Sequence, residues 1–245
     1  MQYGDSITGK QLMYRFILPI VLLLIGCTQN IKQHDYIGAE FLGMPYVKNP
    51  LGEGMAPDTD PLIRFDAFDC ATFVETVIAD GDIDKLNKIR YKDGKIDFLN
   101  RNHFIETDWL ENNSNIVTNI SAQFAPTVTR HVTIDKKKWF KNVHNVDTDF
   151  TQHTVDLEYI PYKNAQDIHV DRPVIVLFII NNTKIRNKIG TDLAVRHMGF
   201  LLPDGVLRHA SRKQKRVVDT DFNNYVNRML ENKNNLGIML LEFKK

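Results

Sequence analysis

Apolar positions keep recognisable periods at both ends of the chain and lose them in the middle. Phe16 to Gly26 is an unbroken apolar or small run. It is too short to cross a bilayer, which takes roughly 20 residues. Residues 28–35 are polar and read as a tether, and Tyr36 to Leu42 as a turn or two of helix. Residues 43–61 hold Gly43, Pro45, Pro50, Gly52, Gly54, Pro57 and Pro61, which predicts a long loop. From Cys70 to Ala79 the residues Phe73, Val74, Val77 and Ile78 make one helical face, and Asp80-Gly81 ends it. Ile83, Leu86 and Ile89 give a second short helix over 82–90, Asp93-Gly94 a turn, and 98–111 a helical segment around Trp109. Residues 114–165 are polar, with Thr- and Val-rich stretches such as Thr127 to Ile134, and keep no clear period.

The C-terminal third reads as β-rich. Val174 to Ile180 is a continuous apolar run between Pro173 and Asn181, the pattern of a strand buried on both faces. Met198 to Leu202, the turn Pro203-Asp204-Gly205 and Val206 to His209 make a hairpin. Asp219 to Asn232 reads as a helix and Ile238 to Phe243 as a last strand. No repeat, low-complexity tract or domain boundary shows, so residues 36–245 are expected to form one α+β domain.

Composition narrows the function. The 245 residues carry 31 Lys+Arg against 30 Asp+Glu, so no basic excess points to nucleic acid. Two cysteines exclude a disulfide framework and a four-cysteine zinc site, and no His-Glu-x-x-His or other short-spaced ligand pair occurs. No metal or cofactor is implied.

The N-terminal run is an address. Arg15 precedes it, and it closes on Leu24-Ile25-Gly26-Cys27, which resembles a bacterial lipobox. The expectation is a signal peptide over residues 1–26, with 1–12 an over-extended start if Met13 is the true one. Cys27 then carries lipid at the new N-terminus, and 27–35 form the tether. The protein is exported and anchored to a membrane, with Thr28 favouring the periplasmic face of the outer membrane over the inner membrane. Lipidation of Cys27 leaves Cys70 as the sole thiol in an oxidising compartment, which is expected of a nucleophile or of a small buried hydrophobe.

Cys70, His197 and His209 are the candidate chemistry. A thiol attacks as thiolate, and a helix N-terminus or a neighbouring imidazole lowers its pKa. Phe68-Asp69-Cys70 stands where the apolar helix begins, and the hairpin can set two imidazoles side by side. Phe-Asp-Cys before an amphipathic helix, then His197-Met198-Gly199-Phe200 and His209-Ala210-Ser211, resembles NlpC-type cell-wall peptidases, a papain-like group. A closer resemblance is to the N-acetylmuramoyl-L-alanine amidase-like family. Its marks are Phe68 to Thr76, Arg90 to Gly94, Arg101 to Phe104 with Asp108-Trp109, His197 to Gly199, and Leu207 to Ser211. Where that family commonly opens the strand before the hairpin with Gly-Asp, Arg172-Pro173 stands here.

The resemblance implies a papain-like fold, with N-terminal helices carrying the cysteine packed on an antiparallel sheet carrying the histidines. It implies Cys70 as nucleophile, His197 as base and His209 as the residue orienting it. The reaction is then hydrolysis of an amide in peptidoglycan stem peptides through a thioester acyl-enzyme, with peptidoglycan or its muropeptides as partner. Asp69 matches the acid that meets a free stem-peptide amine, and is equally a helix N-cap. Arg101 and His103 with Trp109 either line the peptide cleft or pack on the core, and Tyr46 either reaches the site or is a surface aromatic. The basic run Arg208, Arg212, Lys213, Lys215, Arg216 reads as a solvated face or as a contact for anionic polymer or lipid. Two other functions stay open: an acyltransferase using the same three residues, and a non-catalytic cell-wall-binding lipoprotein.

Overall fold

A computed structural model describes residues 37–244. The expected signal peptide, Cys27 and the whole of the tether lie outside them. Among the described residues no helix is long and apolar enough to cross a membrane.

Helix α1 runs from Cys70 to Ala79. Its start is fixed by a capping box: Asp69 accepts from the Thr72 amide at 2.9 Å and the Thr72 hydroxyl accepts from the Asp69 amide at 3.0 Å. It ends where Asp80 and Gly81 both take positive φ. Helix α2, Ile83–Arg90, follows directly. The segment around Trp109 is helical only over its second half. A π-type turn, Ile105–Trp109, leads into the single turn α3, Leu110–Asn112.

The strands form one antiparallel sheet in the order β2-β3-β8-β4-β5-β6-β7, with β1 also on β8. They are β1 Val117–Asn119, β2 Val128–Asp135, β3 Gln152–Pro161, β4 Val174–Ile180, β5 Val195–Leu201, β6 Val206–Ser211, β7 Arg216–Asp221 and β8 Asn235–Phe243. The patternless middle thus supplies three strands and a short helix α4, Lys136–Trp139, extended by a π turn to His144. β2 hides only Val132 and Ile134, so it carries little period to read. A helix α5, Thr183–Ile189, was not expected.

Two further differences concern the C-terminal third. Residues 219–221 are the end of β7, and helix α6 begins only at Phe222, with Asp221 capping it through the Asn224 amide. The basic run is not one solvated face. Arg208 is 5% exposed, forks onto Asp219 with two 2.8 Å bonds and reaches the Ile37 carbonyl.

Every residue of β4 is buried, because the sheet is covered on both faces. Ile175, Leu177, Ile179, Met198 and Phe200 pack with Phe73, Val74 and Val77 on the α1 side. Val174, Val176, Phe178, Leu201 and Leu207 pack with Phe222 and Val226 of α6 on the other.

Candidate functional site

β5 and β6 pair through Phe200–Arg208 and Leu201–Leu207. One step along that register, Gly199 stands opposite His209, and His197 lies two residues further on the same face. Only a residue without a Cβ fits at 199. A Cβ there would sit 2.8 Å from the Arg208 carbonyl oxygen and 2.8 Å from the His209 Cβ. The bare glycine lets the His209 ring lean diagonally across the ladder, where its Nδ1 meets His197 Nε2 at 2.7 Å. His209 Nε2 lies 3.4 Å from the Thr220 hydroxyl of β7. One tautomer set satisfies this chain with a basic nitrogen at its head. His197 Nε2–H donates to His209 Nδ1, His209 Nε2–H donates to Thr220, and His197 Nδ1 keeps its lone pair. Among the described residues nothing hydrogen-bonds to that Nδ1.

The root of β5 is held by Glu106, 2% exposed, whose Oε1 accepts from the Ala194 and Val195 amides. The β4–β5 register shifts at this point, between Phe178 and Ile179. Beyond it Phe178 stacks on His197 at 5.5 Å. Tyr225 of α6 covers the pair, its ring 6.3 Å from His197, 5.5 Å from His209 and 4.8 Å from Phe178.

Cys70 comes in from α1. Around its sulfur are the backbone amides of Met198, the residue after His197, and of Ala71 and Cys70 itself at the helix start. These donors favour a thiolate, but burial and the Asp69 carboxylate outweigh them and push the thiol up to about 12. Burial, then His209 and Arg196, push His197 down to about 3. Burial and Arg228 push His209 down to about 4, against Asp219. The sequence leads one to expect a low-pKa thiol. The structure instead raises the half-buried thiol and lowers both imidazoles, because desolvation disfavours each charged form and the helix start carries its own capping carboxylate.

Tyr46 belongs to this neighbourhood. The loop bearing it threads between α1 and β7: its amide donates to the Lys215 carbonyl at 2.8 Å, and it bridges Phe68, two residues before Cys70. Burial, then Cys70 and Asp69, raise its phenol to about 12. Asp69 spends Oδ1 on the Thr72 cap.

Arg101 and His103 are employed elsewhere. Arg101 forks onto Glu53, with 2.7 and 2.5 Å bonds, and onto Asp58 at 2.8 Å, which staples down the Gly/Pro-rich loop. His103 sits among Phe98, Trp139, Phe140 and His144 with Nε2 on the Phe98 carbonyl. No hydrogen bond or ring contact among the described residues joins either to Cys70, His197 or His209. Trp109 is fully buried. Tyr225, Thr220 and Glu106 escape sequence reasoning. Tyr225 shares an apolar helix face with Phe222 and Val226, and nothing in the spacing sets it apart.

The family described as AmiA-like, N-acetylmuramoyl-L-alanine amidase-like, matches residues 36–232. A crystal structure from Legionella pneumophila, of a protein in a domain family of unknown function, is similar with a TM-score of 0.77 and 23% identity over 85% of this chain and 87% of that one. An N-acetylmuramoyl-L-alanine amidase from Bacteroides uniformis is similar with a TM-score of 0.64 and 25% identity, over 85% of this chain and 97% of that one. No curated protein matches the chain.

Proposed function

Since the chain belongs to the N-acetylmuramoyl-L-alanine amidase-like family, we propose that it hydrolyses an amide bond in peptidoglycan stem peptides, with Cys70 as nucleophile on a papain-like, NlpC-like site. The observation that carries this reading is the 2.7 Å contact between His197 Nε2 and His209 Nδ1, on a hairpin whose Met198 and Phe200 pack against α1, the helix that begins at Cys70.

His197 Nδ1 takes the thiol proton as sulfur attacks the carbonyl carbon. The imidazolium so formed donates through Nε2 to His209, which orients it. The developing oxyanion faces the amides of the α1 start, the natural donors at a helix N-terminus. His197 then returns the proton to the leaving amine, the C–N bond breaks, and a thioester remains. Water, deprotonated by His197, attacks the thioester and restores the thiol. Neutral partners suit this sequence, because charge forms only as the carbonyl is attacked. Asp69 keeps one oxygen clear of its cap for a substrate amine.

In the envelope this domain is held by a lipid on Cys27, after loss of the signal peptide. Labelled palmitate should enter the wild-type chain and not Cys27→Ala, and incorporation that survives the substitution refutes the anchor. For the reaction, sacculi are digested with wild type and with Cys70→Ser and the soluble products weighed. New amine and carboxyl termini at one stem-peptide bond, absent with Cys70→Ser, support the hydrolase. Equal products from both proteins, or none from either, refute it.

A further inference from the structure

Strand β5 carries one residue more than its partner β4 just before the candidate base. Phe178 pairs with His197 and Ile179 with Val195, so Arg196 has no partner on β4 and stands exposed, out of the ladder. This is a β-bulge, and an extra residue changes which side of the sheet the following residues take. Val195 packs with Ile179 in the core on the α1 side. Counted on from Val195 without the extra residue, the ladder would pair position 197 with Leu177, on that same side. With it, His197 lies opposite Phe178, stacks on that ring at 5.5 Å, and meets Tyr225 and His209 on the other side of the sheet.

A bulge interrupts the ladder and has to be held. Here Glu106 holds it. Its Oε1 accepts from two successive amides, those of Ala194 and Val195, on the residues just before the bulge. Two amides converging on one oxygen fix the direction in which the chain enters Arg196. Glu106 is buried and forms no ion pair among the described residues, and its Oε2 has no hydrogen-bond partner. A carboxyl group so sparsely compensated is costly in a core, and a residue kept only to fill space would be apolar. The π turn that carries Glu106 is itself pinned. The amides of Asp108 and Trp109 both donate to the Phe104 carbonyl at 3.0 Å, and Asp108 Oδ2 accepts from the Phe104 amide at 3.2 Å and from Lys136 Nζ at 3.0 Å. Such turns are frequent at functional sites. Asp108-Trp109, which takes no part in the chemistry of Cys70, thus closes the turn that aims Glu106.

We propose that Glu106 is a positioning residue for the base: it holds the bulge at Arg196, and the bulge sets His197 on the side of the sheet where His209 can meet it. Its effect on turnover rests on the hydrolase reading; its effect on the histidine pair does not.

Three substitutions test this. Glu106→Gln keeps an acceptor at the same reach. Glu106→Met fills the space without accepting, and Glu106→Asp accepts without reaching, so that either one, shown folded by a thermal melt, stands for loss of the grip. Each is made in the wild type for kcat and KM on muropeptides, and in Cys70→Ala for nitrogen-15 spectra of the imidazoles. Glu106→Gln should keep the His197–His209 signals and most of kcat. Met and Asp should lower kcat by about 100-fold, as an ångström of displacement in a catalytic group does, with KM unchanged and the two imidazole signals altered. A folded Met or Asp variant with wild-type signals overturns the proposal, whatever its rate. So does a Gln variant as impaired as they are, a loss that falls on KM, or failure of both Met and Asp to fold, which would make Glu106 a residue of the fold alone. No cleavage by the wild type refutes the hydrolase, and the spectra then decide for Glu106 by the same criterion.

Discussion

Gly199→Ala is a small change with a large expected effect. The added methyl would stand 2.8 Å from the Arg208 carbonyl oxygen, 2.8 Å from the His209 Cβ and 3.2 Å from Leu207 Cδ1. The carbonyl oxygen belongs to a residue paired with Phe200, so it cannot retreat without loosening the hairpin. The cheaper response is to push His209 away, and His209 is held toward His197 by one contact of 2.7 Å and toward Thr220 by a longer one of 3.4 Å. Overpacking at such a position costs about 1–3 kcal/mol. In a domain of this size each kcal/mol lowers Tm by about 2–4 °C. The effect on rate should exceed the effect on folding, since an ångström of misplacement in a catalytic group costs about 100-fold. The assay pairs a thermal melt with kcat on sacculi, and adds nitrogen-15 spectra of the imidazoles to follow the His197–His209 contact. A folded Gly199→Ala protein with wild-type kcat and an unchanged imidazole spectrum would refute the argument that the glycine exists to let His209 cross.

Three further outcomes follow from the same geometry. His197→Ala should abolish turnover while His209→Asn keeps part of it, because an amide oxygen can still accept from His197 Nε2–H; equal loss in two folded variants would reverse or dissolve the assignment of base and orienter. Iodoacetamide should label Cys70 slowly at neutral pH in a chain lacking Cys27, with a rate that keeps climbing as pH rises, since burial and Asp69 push the thiol to about 12; a plateau reached below the ordinary thiol value of about 8.5 would mean that the thiolate is stabilised after all. His103, His197 and His209 are held neutral by burial, at about 3, 3 and 4 against 6.5 unfolded. Below 6.5 the unfolded chain therefore takes up protons that the fold refuses, and stability falls as pH drops from 6.5 towards 4. Glu75, raised by burial to about 7, acts in the opposite sense between 4.5 and 7. The urea midpoint of His197→Gln/His209→Gln should fall less steeply over that interval than that of wild type, and parallel curves would show that the two imidazoles are not the groups refusing protons.

What could be read in advance was decided by how much of each element's information is local. Helix α1 announces both its ends, through Asp69 and Thr72 at one and Asp80-Gly81 at the other, and its apolar face lies between them. β4 is apolar throughout because both faces of the sheet are covered, and that too is written in consecutive residues. β7 is different. Val217 and Val218 are its only buried residues, they sit inside a basic run, and Asp219 reads as a helix start until Arg208 is seen forked onto it. The same holds for the site. Cys70, His197 and His209 carry reactive groups and attract notice by type. Glu106 and Tyr225 matter through what they touch, and Arg101 looks like a ligand-binding residue until Glu53 and Asp58, more than forty positions earlier, are found on its guanidinium.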